Sequence, residues 1–189
     1  MRIGFGVPRY VGDPGRAPSA PDHSQIVSYA QRAEQVGFDS VWVPDHFYFE
    51  WPPGVFEPYP EAWTLMTAIG TTTQRGLVGS MVLAAGFRHP ALLARMAGAL
   101  QELTGGRLLL GVGAGNESAE HAAFGLGFDG RVGRFAEYLA VLHALLNDER
   151  VSYHGRHYTL TNAILLVSQP TVPIWIAAGG ERMLSLAAR

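Results

Sequence analysis

The sequence has no cysteine among its 189 residues, which excludes disulfide bonds and thiolate metal ligands. No apolar run approaches the roughly 20 residues needed to span a bilayer, and the first residues, MRIGFGVPRY, lack the apolar core of a signal peptide. The 14 Lys and Arg residues are scattered and the formal net charge is −2, so nothing indicates a nucleic-acid partner. We therefore expect a cytoplasmic protein that binds neither nucleic acid nor membrane.

The histidines do not have the spacing of a metal site. The sequence has seven of them, with no His-x-x-x-His pair on a predicted helix, and His154 and His157 flank a predicted turn. A catalytic metal needs about three convergent ligands. The sequence therefore predicts no metal site.

Glycine, in contrast, is abundant at 23 residues, and many glycines follow short apolar runs. These runs alternate with helical stretches, the first of which begins at Asp22 and carries Gln25 in a capping-box position. The pattern predicts repeated βα units, a parallel sheet and helices on both of its faces. It leaves two architectures open, a doubly wound sheet and a (β/α)₈ barrel. The predicted core strands are residues 3–7, 40–44, 77–83, 107–112 and 173–178, and the later helices are residues 61–73, 90–103 and about 135–146.

The connections between these elements vary in length and composition. Residues 8–21 form a predicted loop rich in Pro and Gly, and residues 48–60 form an aromatic, proline-rich one. After the fourth strand a glycine-rich stretch reaches Gly133, and a hairpin of residues 151–153 and 157–159 follows the next helix. The sequence therefore predicts an insertion between strands four and five.

Asp45 and His46 directly follow the second predicted strand. In either architecture the carboxyl ends of the strands hold the ligand, and an Asp-His pair there can bind a polar ring and move a proton. Position alone fits a turn-capping Asp beside a half-exposed His equally well. The aromatic loop of residues 47–59 favours a ligand site, because planar ligands stack on aromatic walls.

Two glycine turns follow later strands, at residues 111–115 and 177–180. A Rossmann or methyltransferase site would use the first turn, but it follows the fourth strand, and no acidic strand end comes about 20 residues later. The second turn leads into a helix, and the free backbone N–H groups at a helix N-terminus bind phosphate. An ordinary tight loop between a strand and a helix has the same sequence pattern. Together the two turns favour a phosphorylated cofactor.

Four stretches in order resemble the luciferase-like flavin and deazaflavin oxidoreductases: GFDSVWVPDHF, FRHPALLARMAGALQELTGGRLLLGVGAG, RFAEYLAVLHALLNDERVSYHGRHYTL and PIWIAAGGERMLSLAAR. The resemblance covers essentially the whole chain. Family members are TIM barrels, so it implies an α/β fold with a single domain over residues 1–189. That domain would be a partial TIM (β/α)₈ barrel of about five βα units.

The resemblance also implies a cofactor, coenzyme F420. In the F420 branch the His lies near the reactive ring carbon and the Asp beside the ring, which gives catalytic roles to His46 and Asp45. A bulge in strand three, often with a non-prolyl cis peptide, packs against the ring and matches Met81 and Val82. The other implied cofactor contacts are Trp51, Gly113, Gly115, Asn116, Ala177, Ala178, Gly179 and Gly180.

Two positions depart from the F420-dependent glucose-6-phosphate dehydrogenases of this family. Their proposed proton donor is an acidic residue directly after the glycines of strand four, where this chain has Asn116, with Glu117 one residue later. Trp51 also lies one residue further from the Asp-His pair than the ring-flanking Trp of the family. These departures argue against a sugar-phosphate substrate and leave the substrate open.

The implied activity is hydride transfer between F420 and a small organic substrate, in a homodimer for full-length members. The alternatives are an FMN-dependent luciferase-like monooxygenase and a non-catalytic flavin-binding relative. The family has three further strands after the fifth, and this sequence ends at Arg189. We therefore expect the chain to be a fragment or to depend on a partner that completes its sheet.

Overall fold

The computed structural model describes residues 1–8, 21–50, 53–165 and 171–188. Its helices are α1 (His23–Gln35), α2 (Ala62–Thr72), α3 (Pro90–Leu103), α4 (Ser118–Ala123), α5 (Arg131–Asn147) and α6 (Glu181–Ala187). Its strands are β1 (Gly4–Gly6), β2 (Ser40–Val43), β3 (Tyr48–Glu50), β4 (Phe56–Pro58), β5 (Leu77–Ser80), β6 (Leu83–Ala84), β7 (Leu108–Gly113), β8 (Val151–His154), β9 (Thr159–Ala163) and β10 (Ile174–Ile176).

The main sheet is parallel throughout, in the order β1-β2-β5-β7-β10, and β6 pairs with β7. The bounds of the five core strands lie within two residues of the predicted ones, apart from the break in the third. The helices α1, α2 and α3 connect consecutive strands and bury aliphatic side chains such as Ile26, Leu65 and Leu93 in a common core. The sequence-based prediction of repeated βα units is confirmed.

The sheet is curled rather than flat. Trp42 on β2 and Trp175 on β10 have ring centroids 5.2 Å apart, although the two strands are separated by β5 and β7. In a flat sheet, β2 and β10 would be three strand spacings apart, which is about 14 Å. The strands therefore bend into a wall with both indoles on its concave side, which is the geometry of part of a barrel.

Helix ends follow the predicted signals. Asp22 caps α1 through its side chain, which accepts a hydrogen bond from the Gln25 N–H (2.8 Å), while the Gln25 side chain accepts one from the Asp22 N–H (3.0 Å). Glu61 caps α2 by accepting from the N–H groups of Trp63 and Thr64. The helix α3 begins at Pro90, where the missing N–H costs no hydrogen bond.

The third core strand is interrupted. It runs as β5 to Ser80, passes a cis peptide between Met81 and Val82, and resumes as β6, as the resemblance implies. The neighbouring strand accommodates the break with a glycine. A Cβ on Gly111 would lie 1.9 Å from the Ser80 carbonyl oxygen, and the Gly111 N–H donates to the Ser80 hydroxyl (3.0 Å). Any side chain at Gly111 would push the two strands apart.

Several predicted boundaries differ from the structure. Part of the segment predicted as a loop, residues 48–60, pairs as an antiparallel hairpin of β3 and β4. The helix predicted from residue 135 begins one turn earlier, at Arg131. The second strand of the later hairpin is Thr159–Ala163 rather than residues 157–159, because its turn is longer. Most of the predicted loop at residues 8–21 lies outside the described residues.

The glycine-rich stretch after β7 contains a helix, α4, that the sequence analysis did not predict. Its buried side chains are the polar Glu120 and His121. The sequence therefore lacks the apolar periodicity from which a helix is normally predicted.

In the described ranges, no helix combines the length and the apolar character needed to cross a bilayer.

Candidate active site

A cleft of about 610 Å³ lies at the carboxyl ends of the core strands. Its walls come from the loops after β2, β5, β7 and β10, together with α4, α5 and α6. The lining residues are Asp45, His46, Met81, Val82, Ala84, Phe87, Gly113, Ala114, Gly115, Asn116, Glu120, His121, Arg131, Val132, Ala177, Ala178, Gly179 and Met183. The volume is in the range of small-molecule and cofactor sites, about 300–1,000 Å³.

His46 is held by a carboxylate that the sequence analysis did not identify. Its Nδ1 lies 3.1 Å from Oε2 of Glu120, and the other Glu120 oxygen accepts the N–H of Phe47 at 2.5 Å. A carboxylate only accepts hydrogen bonds, so Nδ1 carries the hydrogen and Nε2 keeps its lone pair when the ring is neutral. The side chain of His46 is 18% exposed and that of Glu120 is 3% exposed, so the imidazole reaches the cleft from a buried anchor.

Asp45 is held by an arginine that the sequence analysis did not identify. Its carboxylate accepts hydrogen bonds from both terminal nitrogens of Arg88, at 2.7 and 3.0 Å, and from the Ala84 N–H at 3.0 Å. This bidentate ion pair holds the loop after β2 against the loop after β6. Asp45 lines the cleft, but its oxygens are occupied by this ion pair.

Arg88 extends the network to the N-cap of α2. Its second nitrogen also donates to Glu61. Burial alone would lower the pKa of Arg88, but its hydrogen bonds and charge contacts with Asp45 and Glu61 raise it above the ordinary value. Burial likewise opposes the charge of Glu61, yet hydrogen bonds from Thr64, Arg88 and Trp63 lower the pKa of Glu61 to about 2. Arg88 and Glu61 are therefore both charged at neutral pH.

The cis peptide and the turn after β10 both line the cleft. Met81 is 64% exposed and lines the cleft with Val82, as do Ala177, Ala178 and Gly179 of the turn. A Cβ added to Gly179 would meet no atom within 4 Å, so this glycine of the cleft lining has open space beside it. The two backbone segments form walls suited to a flat ring system.

Arg131, at the start of α5, is a cation in the cleft that the sequence analysis missed. Its Nε donates to the Gly115 carbonyl oxygen at 3.0 Å, and its guanidinium lies 4.1 Å from the Phe128 ring centroid. These contacts fix the side chain at the end of the cleft where Gly115 and Val132 also lie. An anionic group of a ligand would be favoured there.

A second cleft of about 440 Å³ adjoins the first. It shares His46, Asn116 and Glu120 with the first cleft, and its other walls come from the β3–β4 hairpin and the start of α4. These walls are Tyr48, Phe49, Glu50, Phe56, Glu117 and Ala119. The imidazole of His46 thus stands where the two clefts meet.

The structure brings together most of the residues that the sequence predicted for this site. Asp45, His46, Met81, Val82, Gly113, Gly115, Asn116, Ala177, Ala178 and Gly179 all line the first cleft. Gly180 is not part of this lining, and Trp51 lies outside the described residues. The sequence analysis missed Glu120, His121 and Arg131. A usable signal for Glu120 was the acidic pair of Glu117 and Glu120 soon after a strand-end glycine turn. In the described part of the chain, no cluster of three or more potential ligands could hold a metal ion.

A family model described as luciferase-like monooxygenase matches residues 1–189. The chain belongs to this family. Among curated relatives, it is 38% identical over 170 residues to the F420-dependent glucose-6-phosphate dehydrogenase of Amycolatopsis mediterranei (strain U-32), covering 87% of this chain and 50% of that protein. It is 37% identical over 169 residues to the enzyme of that name from Kribbella flavida, with the same coverage. The chain thus spans about half the length of these curated relatives.

Solved luciferase-like structures confirm the partial barrel. An F420-dependent secondary alcohol dehydrogenase in complex with an F420-acetone adduct superposes with a TM-score of 0.82 at 27% identity, over 98% of this chain and 55% of that one. The EDTA monooxygenase of Chelativorans sp. BNC1 gives a TM-score of 0.83 at 20% identity, over 100% and 52%. The barrel was one of two architectures compatible with the βα pattern, and the family decides between them.

Proposed function

We propose that this luciferase-like chain forms the cofactor cleft and proton-transfer pair of an F420-dependent oxidoreductase. The reaction is hydride transfer between F420 and a small organic substrate. The observation that carries the proposal is the His46–Glu120 pair, which lines both clefts and shares the first with the Gly179 turn. The curated relatives named above and the alcohol dehydrogenase structure carry F420 in their names, which supports the choice of cofactor.

The residues present fit such a group. A deazaflavin is flat, and its phosphate-bearing tail is anionic. Met81, Val82 and Gly179 would hold the ring system between two stretches of backbone. Arg131 would hold an anionic part of the tail by charge, because its guanidinium lines the same cleft. When bound, F420 would supply the hydride-accepting ring carbon.

His46 would accept the proton of the substrate, and Glu120 would support His46 in that role. A neutral His46 with its hydrogen on Nδ1 presents a basic Nε2, which can accept the proton of an alcohol as hydride leaves the carbon. Glu120 keeps this tautomer and stabilises the imidazolium that forms. Asp45 and Arg88 position the loop that carries His46, and their charges remain paired with each other. A cytoplasmic location and a homodimeric assembly stay predictions.

Cofactor titration tests the proposal. F420 and FMN are titrated into the purified chain, and binding is followed by quenching of ligand fluorescence. We expect F420 to bind more tightly than FMN, and tighter binding of FMN would instead favour the monooxygenase alternative. Gly179→Ala should weaken F420 binding at least about tenfold because its methyl group takes up ligand space. The matched control is Gly6→Ala, where a Cβ also meets no atom within 4 Å and lies outside the cleft lining.

Substrate proton transfer needs a second test. In the native full-length context, Glu120→Gln should lower kcat for alcohol oxidation by about 10²–10⁴-fold while leaving F420 affinity within about twofold. The amide retains the shape of Glu120 but lacks the charge that stabilises imidazolium. Unchanged kcat in Glu120→Gln with cofactor bound would show that His46 is not the base.

A further inference from the structure

The second cleft opens onto the same imidazole as the first. Its lining includes His46, Asn116 and Glu120, which also line the cofactor cleft. A group bound in the second cleft would therefore lie close to His46, whereas Met81 and Val82 line the first cleft. With about 440 Å³, this cleft has room for a small organic molecule.

Its apolar walls are aromatic. The Tyr48 and Phe56 rings meet edge to face at 5.3 Å across the β3–β4 hairpin, and the Phe49 ring lies 4.8 Å from the His46 ring. Phe56 lines the cleft and is 58% exposed, so part of its side chain is accessible to a ligand. These walls suit a planar or alkyl group.

The charges in this cleft are nearly all of one sign. Its lining contains the carboxylates Glu50, Glu117 and Glu120, with His46 as the sole residue able to carry positive charge among the described lining residues. The cation Arg131 lines the first cleft and is not among the residues that line the second. The two clefts therefore differ in charge. The first offers a guanidinium to an anionic cofactor, whereas the second has several carboxylates and no guanidinium or ammonium.

We propose that the second cleft is the substrate subsite and that it selects an alcohol or carbonyl compound bearing an uncharged or cationic aromatic or alkyl group. It discriminates against anionic groups, including phosphate, at that position. This proposal rests on the F420-dependent function proposed above. Glu50 and Glu117 are the specificity-determining residues, since both are exposed at the rim and neither holds His46.

Three benzyl alcohols whose para substituents differ in charge test the proposal: benzyl alcohol, 4-(hydroxymethyl)benzoate and 4-(hydroxymethyl)benzyl-trimethylammonium. Their binding to the purified chain, without cofactor, is measured by protein-detected NMR titration. We expect the neutral and cationic probes to bind at least about fivefold more tightly than the benzoate at low salt. The difference should shrink in about 0.5 M NaCl, because salt screens exposed charges.

Variants locate the effect in this cleft. The double variant Glu50→Gln with Glu117→Gln should bring the benzoate within about twofold of benzyl alcohol, since each amide still accepts the hydrogen bond that its carboxylate accepts now. Phe56→Ala should weaken all three probes about threefold or more. Val55→Ala is the matched control, because Val55 is 45% exposed on the same hairpin and is outside the cleft lining.

The outcomes separate the two proposals. Equal binding of the three probes, tighter binding of the benzoate, or no binding at all overturns the substrate-class proposal. Failure of F420 to bind overturns the proposed function instead. Because the probes are measured without cofactor, their ranking is readable in either case.

Discussion

Replacing Arg88 with Met tests the buried ion pair behind His46. The methionine keeps most of the apolar volume of arginine but removes both hydrogen bonds to Asp45, whose side chain is 4% exposed. Among the described residues, the Ala84 N–H is then the one hydrogen-bond donor left to the carboxylate. Breaking a buried pair by removing one partner costs about 3–5 kcal/mol, because it leaves a buried charge uncompensated.

We expect the lower end of that range, about 3 kcal/mol, since the Ala84 N–H stays in place and the Arg88 side chain is 12% exposed. With a urea m-value of about 2 kcal/mol/M for a domain of this size, the unfolding midpoint should fall by about 1.5 M. The assay is urea unfolding followed by far-UV circular dichroism at pH 7.

Two controls make this result interpretable. Arg95→Met makes the same chemical change at an exposed position on α3 and should shift the free energy of unfolding by no more than about 0.5 kcal/mol. The double variant Asp45→Asn with Arg88→Met should be more stable than Arg88→Met alone, because its amide carries no charge. A loss below about 1 kcal/mol in Arg88→Met would mean that the pair acts like a surface ion pair, and our reasoning about the loop would be wrong.

Three further predictions concern stability. The lowered pKa of Glu61, about 2 against 4.5 for the ordinary group, means that its stabilisation is present above about pH 4.5 and lost as the pH falls towards 2; Glu61→Gln should therefore flatten the decline of thermal midpoint across that window. Burial opposes the charge of Glu34, but the N–H groups of residues 74–76 lower its pKa below the ordinary 4.5. Glu34→Gln should therefore lower the urea midpoint at pH 7, and the gap from wild type should narrow as the pH falls below 4.5. Gly79→Ala places a Cβ 2.6 Å from Cζ3 of Trp42 and should cost about 1–3 kcal/mol in urea unfolding, whereas a cost below 0.5 kcal/mol, equal to that of Gly6→Ala, would show that the indole moves freely.

The fold was largely predictable because its signals are local. The capping box of Asp22 and Gln25, the proline that opens α3 and the five apolar runs each act within a few residues, and each produced the expected element. Local propensity was misleading where long-range contacts decide the conformation. The hairpin of β3 and β4 replaced part of a predicted loop because aromatic side chains pack across it, as with Tyr48 and Phe56.

The parts of the candidate site that consist of main chain could be predicted from the sequence. Gly113, Gly179 and the Met81–Val82 peptide are recognisable from strand ends and from the resemblance. The partner of His46 was not, because Glu120 lies 74 residues away in sequence on a helix too short to show periodicity. The partner of Asp45 was missed for the same reason, since the fork to Arg88 spans 43 residues. Side-chain pairing between distant loops depends on tertiary packing.

The contact of Trp42 with Trp175 makes the curvature of the sheet observable by spectroscopy. Two indoles with centroids 5.2 Å apart and planes inclined at 46° are close enough for their electronic transitions to couple, which gives a paired signal of opposite signs in circular dichroism. The partners sit on β2, inside the sheet, and on β10, at the end of the strand order. If β10 detached while the other strands stayed paired, the coupled signal would vanish before the peptide signal changed. The coupled circular dichroism signal of Trp42 and Trp175 therefore reports whether β10, the last core strand, is attached to the sheet.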